Sequence, residues 1–250
     1  RAEIEEIKSV GVDIRTNTEV DSLDSLFEQG YKAIFLAIGA HQGIRLGIEG
    51  EDNPKVMECV SFLRDVSLGK EVKLGGRVAV IGGGNAAIDS ARTALRLGTK
   101  EVTIVYRRTR IEMPASPEEI DAALAEGVEI YFLAAPLKIA GQDDELKLEC
   151  IRMQLGEADA SGRRRPEPIK GSEFTMSFDN IIAAIGQRPE IPAQFGLTIG
   201  RGNTIQVDTN TLATDREGVF AGGDTVSGPA SVIEAIAAGR QGAISIDKYL

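Results

Sequence analysis

Two cysteines and one histidine are the whole supply of soft metal ligands and redox-active thiols in this 250-residue chain. Cys59 and Cys150 lie far apart, with no Cys-x-x-Cys pair, and His41 is the single imidazole. That inventory excludes a protein-held metal cluster and a local redox disulfide, both of which need closely spaced ligands. Positive charge is also scarce. Lys and Arg number 28 against 38 Asp and Glu, a net charge of -10, so nucleic acid is not an expected partner, because phosphate-binding surfaces need a clustered cationic excess. No apolar run approaches the roughly 20 residues that span a bilayer, and no signal-peptide pattern opens the chain. No membrane association is expected, and the cytoplasm is the expected location. An initiator Met is missing as well. Arg1 leads straight into Ala2-Glu3-Ile4-Glu5-Glu6-Ile7, an amphipathic helical pattern stopped by Gly11, and the chain reads as a fragment of something longer.

With 42% hydrophobic residues there is enough material for a core. Val12 to Val20 reads as a strand. The runs Ala33-Ile34-Phe35-Leu36-Ala37-Ile38 and Ile181-Ile182-Ala183-Ala184-Ile185 are apolar throughout and closed by Gly39 and Gly186, which suits central strands buried on both faces. Two similar sheets account for them. Gly75-Gly76 opens a strand-helix-strand stretch, so one domain is placed at residues 74–187 and the flanking pieces, 1–73 and 188–250, form the other. Within the central domain a strand runs from Arg77 to Ile81, a helix from Asn85 to Leu97 and a strand from Val102 to Tyr106. The helix carries Ala87, Ile88, Ala91, Ala94 and Leu95 on one face, small enough for close packing on a sheet. A second helix starts at Ser116-Pro117-Glu118-Glu119, a capping box with Pro in the first turn. The strand Val128 to Leu133 follows. Alternation in Leu146-Lys147-Leu148-Glu149-Cys150-Ile151 predicts an antiparallel extension, and the polar stretch 157–171 a loop or hairpin tip. The fold class is α/β: a central parallel sheet flanked by helices, with an antiparallel extension.

Val78-Ala79-Val80-Ile81 runs into Gly82-Gly83-Gly84-Asn85-Ala86-Ala87, a G-x-G-x-x-A loop between a strand and a helix, the setting that dinucleotide binding requires. Gly82 serves the tight turn, Gly84 lets backbone approach a pyrophosphate, and Ala87 allows close packing while the helix N-terminus faces the anion. The acidic residue that would bind an NAD ribose is missing after the second strand, where Tyr106-Arg107-Arg108-Thr109-Arg110 stands instead. Three guanidinium groups suit the 2′-phosphate of NADP, with a solvated basic loop as the alternative. A second signature lies near the end: the strand Val219-Phe220-Ala221 meets Gly222-Gly223-Asp224, and Gly228-Pro229-Ala230-Ser231 opens a long helix. Asp224 can accept hydrogen bonds from sugar hydroxyls or simply cap a turn.

Together with Glu112-Met113-Pro114-Ala115 and Ala184-Ile185-Gly186-Gln187-Arg188-Pro189, these stretches span nearly the whole chain, which resembles the small (beta) chain of glutamate synthase and its relatives, FAD-containing NADPH oxidoreductases. The resemblance implies a Rossmann-like NADP domain inserted in a partial FAD-binding domain. It implies that Arg107 and Arg108 contact the NADP 2′-phosphate, and that Asp224 with its neighbour Gly223, and Ser231 with Val232, meet the ribityl chain and ring of FAD. Ala37, Ile38 and Gly39 would lie beside FAD, and Gly186 lies in a matching stretch. Such relatives carry an upstream glycine loop for the ADP half of FAD and iron-sulfur cysteines, neither of which stands in this sequence, so these 250 residues alone are expected to hold FAD weakly. No catalytic side chain is nominated, since hydride passes directly between nicotinamide and flavin. The expected partner is an electron-accepting subunit or domain, possible iron-sulfur centres included. The alternatives are a non-catalytic NADP-binding or sensing module, and the electron-input module of another flavin or iron-sulfur enzyme.

Overall fold

The structure is a computed structural model that describes residues 2–141, 145–159 and 162–250. In chain order the elements are α1 (Ala2–Ser9), α2 (Leu23–Glu28), β1 (Ile34–Leu36), β2 (Gln42–Gly43), β3 (Val56–Glu58), α3 (Cys59–Ser67), β4 (Arg77–Ile81), α4 (Asn85–Arg96), β5 (Glu101–Tyr106), α5 (Pro117–Ala125), β6 (Glu129–Phe132), β7 (Ala134–Ala140), β8 (Leu146–Ala158), β9 (Arg164–Phe178), β10 (Asn180–Ala183), β11 (Gln187–Arg188), β12 (Val219–Ala221), α6 (Asp224–Ser227) and α7 (Val232–Tyr249). They fall into two compact units, one of residues 39–190 and one of residues 1–38 with 191–250.

The central unit is built on a five-stranded parallel sheet in the order β3-β10-β4-β5-β6. Because side chains alternate across a strand, each strand feeds two cores. Val78, Val80, Val102, Ile104 and Ile182 point to the helical side, where they bury against Ala87, Ile88, Ala91 and Ala94 of α4 and Ile120 of α5. Ala79, Ile81, Val105 and Ile181 point the other way and meet Leu146, Leu148 and Cys150 of β8. The predicted antiparallel extension is therefore a separate three-stranded sheet, β7-β8-β9, that covers the second face of the parallel one. Its two long strands take in most of the 157–171 stretch, expected as a loop or hairpin tip, and their connection lies within it. They are exposed there, so no apolar alternation marked them. Residues 39–73 also belong to the central unit rather than to the flanking domain, because Ile181 to Ala183 of β10 pair with Val56 to Glu58 of β3. The unit begins and ends in a short antiparallel ribbon in which Gly43 faces Gln187 and Gln42 faces Arg188.

In the other unit β1 and β12 form a parallel pair, Leu36 opposite Ala221, over a core of Leu23, Ile34, Phe195, Ile205 and Val219. The Phe35 ring lies where a side chain on Gly242 of α7 would go, since a Cβ there would come within 2.2 Å of it. The expected strand from Val12 to Val20 does not form. Every residue from 2 to 21 is exposed, and alternation makes a strand only where a neighbouring strand accepts its hydrogen bonds.

Candidate functional site

β4 delivers the chain into the glycine loop, and each glycine there answers to a different neighbour. Gly82 sits at φ 149°, and a Cβ on it would come within 2.2 Å of the Ala184 carbonyl oxygen at the end of β10. Gly83 is pressed against the Tyr106 ring, 2.5 Å from where its Cβ would be. Gly84 is different: the nearest atom to its Cβ position is Pro114 Cγ at 3.7 Å, so the space beside it is open. Gly84 is also the N-cap of α4 and brings no side-chain cap. A Ser, Thr, Asp or Asn at that position would satisfy the helix with its own oxygen, whereas glycine leaves the first N–H groups, including those of Asn85 and Ala86, for an anion from outside. Ala87, fully buried, lets the helix close down on the sheet.

A segment to which the sequence assigned no role holds this loop in place. The Ala115 N–H donates to the Gly83 carbonyl at 3.2 Å, and the Ser116 N–H donates to Asn85 Oδ1 at 3.1 Å. Met113 and Ala115 are buried in the helical core, so Glu112-Met113-Pro114-Ala115 is a clamp over the glycine loop. Its signal was present in the sequence as a matching stretch, but nothing in spacing or charge says what such a stretch touches.

The three arginines after β5 separate. Arg107 is exposed and makes no hydrogen bond or ion pair among the described residues. Arg108 is 6% exposed, and its Nε donates to the Arg164 carbonyl at 2.7 Å while its guanidinium meets Asp159 at 3.0 Å. Arg110 pairs with Asp121 at 2.5 Å on the surface. Of the three guanidinium groups expected at one phosphate, Arg108 is bonded at the turn end of the β8–β9 hairpin and Arg110 is drawn to α5.

At the other signature, Leu36 of β1 accepts from the Gly222 N–H, so Ala37 and Ile38 leave their strand beside Gly222 and Gly223. Asp224 Oδ1 accepts from the Ala230 N–H at 3.2 Å, which makes it a turn cap. Ser231 is the N-cap of α7 in a reciprocal box: its hydroxyl accepts from the Glu234 N–H at 3.3 Å and donates to Glu234 Oε2 at 2.6 Å. Val232, next in the helix, is 75% exposed. The N-terminus of α7 thus carries its own carboxylate, while that of α4 is open. In the central unit the Gly186 carbonyl accepts from the Ile44 N–H at 3.0 Å beside the ribbon, and Gly39 is the first residue of the unit. His41 is exposed and lies 3.8 Å from Glu190.

Cys59 and Cys150 are free and buried, in the cores on opposite faces of the parallel sheet. Burial first, then the neighbouring Glu58 and Glu149 carboxylates, pushes both thiols up to about 12. A thiol is nucleophilic only as its thiolate. Folded protein at neutral pH should therefore leave an aromatic disulfide reagent such as DTNB unreacted, and both thiols should react after denaturation; rapid native labelling of either would show that the cores do not enclose them.

No described helix is long and apolar enough to cross a membrane. Among solved structures, the chain superposes on FprA of Mycobacterium tuberculosis in complex with NADPH with a TM-score of 0.75 at 21% identity, over 93% of this chain and 67% of that one. It superposes on T. acidophilum thioredoxin reductase with a TM-score of 0.66 at 20% identity, over 87% of this chain and 65% of the other. These likenesses show the fold. Among curated proteins it is 46% identical over 256 residues to the NADP(+)-dependent formate dehydrogenase subunit beta of Moorella thermoacetica, covering 99% of this chain and 36% of that one. It is 37% identical over 263 residues to the Escherichia coli glutamate synthase [NADPH] small chain, covering 96% and 56% respectively. The chain thus spans from about a third to somewhat over half of these relatives' length. Residues 2–239 match the pyridine nucleotide-disulphide oxidoreductase model, and the chain belongs to that family.

Proposed function

We propose that the chain binds NADP(H) on the Gly82–Ala87 loop and orients it for hydride exchange with FAD, as the nicotinamide-side module of an enzyme that passes electrons to a partner. The observation that carries this reading is the pairing of an open, glycine-capped helix N-terminus with one exposed guanidinium that has no partner among the described residues. The first suits a pyrophosphate and the second a 2′-phosphate. Gly82 and Gly83 shape the turn, Gly84 opens the approach, Asn85 and Ala86 donate N–H groups, and Ala87 seats the helix. Arg107 is the specificity residue, with Arg110 able to contribute only by leaving Asp121.

For FAD the fit lies at the ring and ribityl end. Asp224 has one carboxylate oxygen without a partner among the described residues and would offer it to a hydroxyl, with Ala37, Ile38, Gly223, Ser231 and Val232 of the same unit as further FAD-binding residues; Gly39 and Gly186 are those of the central unit. FAD supplies the hydride-accepting chemistry when bound. The chain's own contribution is orientation and exclusion of water, which requires no acid or base. The names of the relatives, subunit beta and small chain, support an electron-accepting partner subunit or domain.

The test compares NADPH and NADH by titration calorimetry. Arg107→Ala removes charge-assisted hydrogen bonds worth about 1.5–3 kcal/mol, so NADPH should weaken on the order of 10- to 100-fold while NADH changes little. Equal losses for both cofactors would sink the assignment.

A further inference from the structure

Two charged side chains are buried among the described residues, Arg108 and Glu112, and both lie in the turn that follows β5. Arg108 has been accounted for. Glu112 has not: it is 6% exposed, carries no role in the proposed chemistry, and would put a negative charge beside a site that selects a phosphate.

Its contacts explain its presence. Glu112 Oε2 accepts from the Thr109 N–H at 3.1 Å and from the Thr109 hydroxyl at 2.5 Å, which closes a reciprocal cap on the Arg110–Glu112 3-10 turn. The Glu112 carbonyl accepts from the Tyr106 hydroxyl at 2.7 Å. Tyr106 is the ring pressed on Gly83, and the chain leaving Glu112 reaches Ala115 and Ser116, which grip Gly83 and Asn85. One residue thus joins both ends of the turn that holds Arg107 to the loop that faces the pyrophosphate.

We propose that Glu112 is a positioning residue for cofactor selection: it fixes the Arg107 turn relative to the glycine loop, and so sets the spacing at which 2′-phosphate and pyrophosphate are read together. This rests on the NADP(H) reading above. The carboxylate never touches the cofactor. The Thr109 hydroxyl, ahead of the opposing effect of burial, and then the Thr109 N–H and the Arg164 charge hold its carboxyl below the usual carboxylate range, so it is ionised at neutral pH and its hydrogen bonds are the strong, charge-assisted kind. Ionised, it can only accept, and Thr109 is its matched double donor.

The experiment measures Kd for NADPH and NADH on the full chain for wild type, Glu112→Gln, Thr109→Val, Thr109→Ser, Arg107→Ala and the Arg107→Ala/Glu112→Gln double variant. Glu112→Gln should weaken NADPH about tenfold and NADH less than threefold, a split that general loosening of the fold would not produce. Thr109→Val should move the ratio in the same direction, and Thr109→Ser, which keeps the hydroxyl, should restore it. In the double variant the second substitution should add less than threefold, because a mispositioned Arg107 has little left to lose. If Glu112→Gln does not fold, the Thr109 pair carries the test. Equal effects on the two cofactors, no effect, or full additivity with Arg107→Ala would overturn the proposal while leaving the NADP(H) reading intact. A wild type without NADPH preference, indifferent to Arg107→Ala, would instead overturn the reading beneath it.

Discussion

Gly82→Ala is expected to cost the central unit about 2–5 kcal/mol and to abolish NADPH binding, whereas Gly84→Ala should abolish binding and leave stability nearly unchanged. Two costs add at Gly82. At φ 149° a Cβ sits in backbone space that side chains rarely adopt, and it would press to 2.2 Å on a carbonyl oxygen of the neighbouring strand, an atom that cannot swing aside. Relief requires β4 to part from β10 at the centre of the parallel sheet, just where Ala184 donates to the Ile81 carbonyl at 2.8 Å. A loss of that size is a large share of the 5–15 kcal/mol typical of a folded domain. Gly84, with extended backbone and no atom closer than 3.7 Å to its Cβ position, meets neither problem. Alanine there costs under about 1 kcal/mol as a poorer cap, but its methyl takes the place reserved for the anion. Denaturant midpoints and NADPH titrations on both variants check the pair. A Gly82→Ala chain that melts with wild type, or a Gly84→Ala chain that binds normally, would mean that the loop does not have this shape.

Arg108→Ala should destabilise the chain by about 2–4 kcal/mol, since it removes a buried guanidinium that bonds Asp159 and the Arg164 carbonyl. The side chain is 8% exposed and Asp159 24%, so the pair is screened less than the surface pair at Arg110, which should contribute under about 1 kcal/mol. The turn end of the hairpin should loosen with it. Limited trypsin digestion should then cut at Arg163 to Arg165 much faster than in wild type, and Arg107→Ala should change neither the melting nor the cleavage. The contrary result is equally clear. An Arg108→Ala chain as stable as wild type, with a loss confined to NADPH, would make Arg108 the phosphate ligand that the resemblance implies.

The contrast between these two arginines marks where sequence reasoning stops. Charge in a row, Arg107-Arg108-Thr109-Arg110, says that cations are available, but the path of the chain decides which is spent inside. The chain has already left β5 here, and its turn carries Arg108 to Asp159 and the Arg164 carbonyl while Arg107 stays exposed. Elements whose signal is local were legible: the glycine loop with its flanking strand and helix, the alanine face of α4, the Ser116 cap of α5 and the Ser231 start of α7. What depended on a distant partner was not. Val56 to Glu58 becomes a strand because β10 lies beside it, Val12 to Val20 stays unpaired for want of a neighbour, and the hairpin arm carries exposed Arg, Glu and Pro that resemble a loop. The clamp of residues 112–116 was visible as a stretch of sequence without a mechanism, because its function is carried by backbone N–H groups, which have no letter in the sequence.

The ribbon of β2 and β11 has a consequence for how the central unit relates to its chain. Gly43 faces Gln187, Arg188 Nε donates to Gln42 Oε1 at 2.7 Å, and Ile44 donates to the Gly186 carbonyl, so the first and last residues of a unit some 150 residues long are neighbours in space. A piece whose two ends meet can interrupt a host chain without forcing the host's own ends apart, as an ordinary surface loop would. Residues 39–190 therefore have the form of a portable cassette. Exchange of this unit at these two points would place each cut in a two-residue strand rather than in a core.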